Sequence, residues 1–176
     1  MKKHRILCIC DGNEFCGITS SSSSSNSNCH DGSIEYLYND LCWFIWHEYP
    51  WKLLPKNFKP RRLVHLNLRW NSLHHLWNET KVMFYLRYLG DAKFGAFEST
   101  SLEEVHHSLE YCRKLIQFNL NECISLKRFR YVNEELLESV NLNHCSSLEK
   151  FPEFLGRMKP ELEITLSFSG IRNLSS

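Results

Sequence analysis

Residues 63–76 read Leu63-Val-His-Leu66-Asn-Leu68-Arg-Trp-Asn71-Ser-Leu73-His-His-Leu76, which fits LxxLxLxxNxLxxL at every defined position. The pattern returns in Leu115-Ile-Gln-Phe118-Asn-Leu120-Asn-Glu-Cys123-Ile-Ser-Leu126-Lys-Arg-Phe129. It returns again in Leu137-Glu-Ser-Val140-Asn-Leu142-Asn-His-Cys145-Ser-Ser-Leu148-Glu-Lys-Phe151. Looser copies are Leu41-Cys-Trp-Phe44-Ile-Trp46-His-Glu-Tyr49 and Ile164-Thr-Leu166-Ser-Phe-Ser169-Gly-Ile171-Arg-Asn-Leu174. Equivalent positions fall at Phe44, Leu66, Leu89, Phe118, Val140 and Ile164, separated by 22, 23, 29, 22 and 24 residues. Repeats of about 20–29 residues with this signature are leucine-rich repeats. A second tag, Ser-Leu-x-x-apolar, recurs in step at Ser72, Ser101, Ser125 and Ser147.

The physics of the letters gives the expected fold: an α/β solenoid with short parallel strands on a concave face and irregular or short helical convex segments. In a strand successive residues alternate faces, so Leu66 with Leu68, Phe118 with Leu120 and Val140 with Leu142 point inward. Each rung then buries its apolar face only against its neighbours. The Asn71 slot follows the strand, where an inward amide bonds backbone groups the turn leaves unpaired. Cys123 and Cys145 take the same place as small, burial-tolerant residues.

Two stretches depart from the pattern. Residues 19–28, serine with two asparagines, are low-complexity and read as a flexible insert. Residues 1–33 therefore divide from the repeat domain, 34–176, with Leu7-Cys-Ile9 as the strand of a degraded first repeat. Between Leu86 and Val105 the register breaks, as if parts of two repeats had been spliced, and residues 90–100 fit no element. Residues 103–112 fit a short convex helix.

Lys and Arg number 21 against 20 Asp and Glu, a formal charge of +1. That balance gives no electrostatic case for nucleic acid or an anionic membrane as partner. The apolar stretch Ile6 to Cys10 is shorter than a signal peptide needs, so the expected location is intracellular: cytoplasm, with the nucleus as a second compartment. The eight cysteines are then expected as thiols. Cys8, Cys10, Cys16, Cys29 and His30 lack zinc-ligand spacing. His74-His75 and His106-His107 are adjacent, and on a strand would point opposite ways. Lys59-Pro60-Arg61-Arg62 and Lys127-Arg128 are short basic clusters that suit a solvated face. No cofactor, metal or catalytic residue is expected.

The candidate protein-binding surface is the outward face of the strands: His65, Asn67, Arg69 and Trp70, then Gln117, Asn119 and Asn121, then Ser139, Asn141 and Asn143. Val64, Ile116 and Glu138 flank it. Asn67, Asn119 and Asn141 share one slot and are expected to form an outward row. Trp70 is either an exposed anchor or a tucked side chain.

Residues 41–77, with Trp46…Tyr49-Pro50…Leu54-Pro55…Phe58, Leu63-Val-His-Leu66-Asn-Leu68 and Leu73-His-His-Leu76-Trp77, resemble one family. It is the repeat region of plant TIR–nucleotide-binding–leucine-rich-repeat resistance proteins, and the Cys-x-x-Leu-x-x-Phe endings at 123–129 and 145–151 are similar to it too. The resemblance implies repeats that sense pathogen effectors and hold a nucleotide-binding switch inactive, so that a TIR domain, which cleaves NAD, is released on recognition. Implied partners are an effector or a guarded host protein, and the receptor's own nucleotide-binding domain. The phosphate-loop pattern G-x-x-x-x-G-K-[ST] is absent here, so no catalytic role carries over. Arg130 stands where proline usually follows Phe129. Alternatives from the sequence are a non-signalling decoy or remnant, and an unrelated intracellular repeat adaptor.

Overall fold

The computed structural model describes residues 5–10, 14–15, 37–76, 84–90, 99–133 and 135–172. The Ser-rich stretch, Cys16, Cys29, His30 and most of 90–100 lie outside these.

Leu-x-Leu alternation needs only three extended residues to place two side chains inside, and the strands are correspondingly short. The main sheet runs through β1 (Arg5–Cys10), β3 (Leu41–Trp46), β4 (His65–Asn67), β5 (Tyr88–Leu89), β7 (Gln117–Asn119), β10 (Ser139–Asn141) and β12 (Glu163–Thr165). All these neighbours pair in parallel, while β2 (Glu14–Phe15) folds back antiparallel on β1. Phe44 faces Leu66, Leu66 faces Leu89, Leu89 faces Phe118, Phe118 faces Val140 and Val140 faces Ile164. The repeat spacing read from the sequence is thus the sheet register. Leu7 opposite Phe44 and Ile9 opposite Trp46 carry that register into β1.

Five of the strands, β3, β4, β7, β10 and β12, are followed by a left-handed residue. Glu48, Trp70, Glu122, His144 and Phe168 have φ between 50° and 62°. Each stands two residues beyond the second inward side chain (Trp46, Leu68, Leu120, Leu142, Leu166). The residue after it drops into the interior: Tyr49, Asn71, Cys123 and Cys145 are buried. Cys123 N–H donates to Leu120 C=O at 3.2 Å, Cys145 N–H to Leu142 C=O at 3.4 Å and Ser169 N–H to Leu166 C=O at 3.1 Å, closing three of these turns.

The chain then descends through the Ser-Leu tag, with Leu73, Leu102, Leu126 and Leu148 buried. Short side ladders follow, β6 (Glu104–Val105) with β8 (Arg128–Phe129), and β9 (Tyr131–Val132) with β11 (Glu153–Phe154). Among the described residues the helical part of the expected class reduces to one 3₁₀ turn, His107–Tyr111, inside the 103–112 stretch expected to be helical.

The structure resolves the broken register. β5 lies between β4 and β7, and β6 pairs with β8, so Leu86 to Val105 fill one place in the stack. Ser99 lies in the same slot as Asn71 and Cys123. Its hydroxyl donates to Asn71 Oδ1 at 2.9 Å, and its backbone hydrogen-bonds at the Cys123 sulfur. The unusual 29-residue spacing is an insertion between strand and slot: Leu89 to Ser99 is ten residues, where Phe118 to Cys123 is five.

Candidate functional site

The outward side chains form rows across the sheet, because parallel strands in one register place equivalent residues side by side about 4.8 Å apart. The first row is Trp43, His65, Tyr88, Gln117, Ser139 and Glu163. Its first half is aromatic: the His65 ring lies 5.0 Å from Trp43 and 5.8 Å from Tyr88, tilted against both. Its second half is polar and ends in a carboxylate.

The second row is Ile45, Asn67, Gly90, Asn119, Asn141 and Thr165. Gly90 takes its place by donating to Leu66 C=O at 2.9 Å. The expected outward asparagine row is corrected here. Asn67 and Asn119 are buried, at 1% and 6% exposure, and Asn141 is half-buried. Two causes combine. Asn119 Oδ1 folds back to accept from Asn121 N–H at 3.0 Å, and Asn141 Oδ1 from Asn143 N–H at 3.1 Å, so the amides satisfy the strand ends. Gly90 also breaks the row, and lets the backbones close in: a Cβ there would sit 2.4 Å from Asn119 C=O. Asn143 Oδ1 likewise accepts from Ser167 N–H at 2.7 Å, tying adjacent rungs.

The third row holds His47 and Arg69 beside Asn121, Asn143 and Ser167. Trp70, 45% exposed, is held at the rim with the Arg69 guanidinium 4.3 Å from its ring and His47 5.8 Å away. The ring is exposed rather than tucked, and carries a cation on its face. His65, Arg69, Gln117, Asn121, Ser139 and Asn143 are half-buried on the concave side.

Sequence reasoning missed Trp43, Tyr88 and Glu163, which belong to the same first row. The signal was available, since each directly precedes an inward residue of the register (Phe44, Leu89, Ile164). Beyond Tyr88 the face opens into a hollow of about 440 Å³ lined by Tyr88, Ile116, Gln117, Glu138, Ser139, Glu161 and Glu163. The face is aromatic and cationic at one end and acidic at the other.

The remaining titratable groups support the frame. Cys123 and Cys145 are buried; Cys145 donates to Leu120 C=O at 3.1 Å and its pKa is pushed up to about 12 by burial. Burial, then the neighbouring Cys145, also holds the Cys123 thiol well above its ordinary value. Neither is poised as a nucleophile. On the side ladder Lys127 bonds Glu103 at 3.1 Å and His74 approaches it at 3.8 Å. The lysine's hydrogen bond and charge lower the Glu103 pKa. His106 and His107 do not point apart, because the chain is turning there rather than extended. Their rings lie 4.0 Å apart, and His106 caps the 3₁₀ turn by accepting from Ser108 N–H. Burial, then the charge of His107, lowers the His106 pKa. Among the described residues no three His, Cys, Asp or Glu side chains are grouped to hold a metal ion.

These repeats are shared with known proteins. The chain is 45% identical over 163 residues to TMV resistance protein N of Nicotiana glutinosa, covering 82% of this chain and 14% of that protein. The chain belongs to the plant disease resistance proteins of TIR–nucleotide-binding–leucine-rich-repeat type. Two proteins of that family in Arabidopsis thaliana agree. Disease resistance protein RRS1 is 32% identical over 127 residues, 72% of this chain and 9% of that protein. Disease resistance-like protein DSC1 is 30% identical over 119 residues, 68% and 8%. The chain thus spans a small part of the length of these relatives. No family profile matches it, and no solved structure matches it.

Proposed function

We propose that this chain is the recognition and regulatory repeat module of a plant intracellular immune receptor, acting by protein–protein contact in the cytoplasm and nucleus. The observation that carries the reading is the concave parallel sheet. Its aligned outward rows form a broad preorganised surface of mixed aromatic, amide and charged groups, the composition of a protein interface. Two contacts fit this role: a pathogen effector or guarded host protein, and the receptor's own nucleotide-binding domain, held inactive until recognition. Immune-receptor membership supports the defence role.

The test is complementation in leaf tissue. A receptor of this family lacking its repeats is expressed with and without this chain supplied in trans, and cell death is scored. Suppression of death by the chain, lost when Trp43 and Trp70 are both changed to alanine, is the expected result. Death unaffected by the chain, with both proteins accumulating, would sink the regulatory reading.

A further inference from the structure

The concave face is chemically lopsided, and the acidic end has a definite complement. Three carboxylates, Glu138, Glu161 and Glu163, line one hollow with Tyr88, Gln117 and Ser139, and no lysine or arginine lines it. Glu163 sits opposite Ser139, and its N–H donates to Glu138 C=O at 3.0 Å, so two of the carboxylates spring from adjoining strands. All three are exposed, and among the described residues none is within salt-bridge distance of a cation. With a net charge of only +1, this is a local excess of acid, not a property of the whole chain. Gathered carboxylates repel one another, and that repulsion is relieved when a cation arrives. Tyr88 supplies a ring face for cationic heads and aliphatic stems.

We infer that the half of the concave face from β5 to β12 docks an extended, lysine- and arginine-rich segment of a partner protein. This rests on the protein-recognition reading above and specifies its partner chemistry. Charge complementarity selects the occupant, because the hollow offers acceptors (carboxylates, the Gln117 carbonyl, the Ser139 hydroxyl) to side chains that only donate. An extended segment places a side chain on the sheet every second residue, about 6.6 Å apart, which suits carboxylates spread over two strands.

The probe is a fluorescein-labelled dodecapeptide of alternating Lys and Ser, with its Glu-for-Lys counterpart, titrated by anisotropy against the full chain at low and physiological salt. The Lys peptide is expected to bind and the Glu peptide not. Glu138→Gln, Glu161→Gln and Glu163→Gln together should weaken binding about tenfold at low salt. Arg87→Glu, which reverses an exposed cation beside Tyr88, should tighten it several-fold. Equal binding of the two peptides, or a triple variant that binds like the parent, overturns the inference. So does sedimentation showing self-association that the triple variant abolishes, since the occupant would then be a second copy. The leaf assay separates the two readings. If the triple variant still suppresses death while the Trp43/Trp70 variant does not, recognition stands and the acidic docking claim falls.

Discussion

The rungs around β3 and β4 and those around β7 and β10 solve one packing problem with different materials. In the first, Phe44 meets Trp46, Tyr49 and Phe58 edge-on at 5.5–6.4 Å, and Trp51 closes on Trp46 and Tyr49. The return segment there contains Pro50, Pro55 and Pro60, which deny it regular hydrogen bonding, so large rings fill an irregular space. In the second, leucines dominate, with Phe118 stacked on Phe129 as the main ring pair. The interior slot differs in the same way. Asn71 donates its amide to Leu68 C=O and accepts from Leu73 N–H at 2.9 Å, while Cys145 offers one thiol to Leu120 C=O. A regular descent needs only a small plug; an irregular one needs rings and an amide that binds backbone on both sides.

Breaking the aromatic cluster should have the largest effect. Phe44→Ala is expected to cost about 4 kcal/mol in urea unfolding, as for other buried phenylalanines. Phe44→Leu should cost more than Phe118→Leu; equal costs would mean the edge-on contacts add nothing to simple burial. Next comes the joint between the two regions. Gly90 has φ 81° and the backbone of Asn119 against it, so Gly90→Ala should cost roughly 3 kcal/mol by combined strain and overlap. An unchanged melting temperature would show that β5 can move away from β7. The slot comparison follows: Asn71→Ala should lose about 2 kcal/mol by stranding buried backbone groups, and Cys145→Ala about half that. Comparable losses would erase the distinction between amide and thiol.

The thiol rungs also carry a pH signature. Burial pushes the folded pKa of Cys145 up to about 12, from an ordinary thiol value near 9. The folded state therefore holds its proton more tightly, and stability falls as pH rises above 9 toward 12. At pH 10 the loss from Cys145 should be about 1.4 kcal/mol, and Cys145→Ala should remove that share of the slope. A slope unchanged in that variant would assign the alkaline loss elsewhere, first to Cys123 and then to Tyr49, since burial raises the pKa of both. The smallest effect is expected at the rim. Phe168, 78% exposed with φ 58°, is free of the core. Phe168→Asn should gain about 0.5 kcal/mol by relieving left-handed strain, unless the ring's stacking on His144 at 4.9 Å offsets it.

Much of the fold was legible because the repeat letters are the register: Phe44, Leu66, Leu89, Phe118, Val140 and Ile164 pair in order. The slot residues Asn71, Cys123 and Cys145 were legible for the same reason. The rung from 86 to 105 was not, because a longer stretch between strand and slot hides the slot in one dimension; only Ser99 meeting Asn71 in space locates it. The concave face was legible in part. Alternation assigns a side chain to the outer face but cannot say whether it stays extended. Asn119 and Asn141 turned back onto their own backbone, a local hydrogen bond that periodicity does not encode. The left-handed residues were invisible because Glu, Trp, Glu, His and Phe carry no shared letter.

That lack of a shared letter has a consequence. Glu48, Trp70, Glu122, His144 and Phe168 occupy one backbone conformation, one in each of five rungs, and all are exposed. The turn constrains the dihedral angle but leaves the side chain's chemistry open. These five positions therefore behave like type set along a ruler of fixed pitch. Characters can be exchanged one at a time, acid for ring or ring for imidazole, while the line on which they are read stays straight.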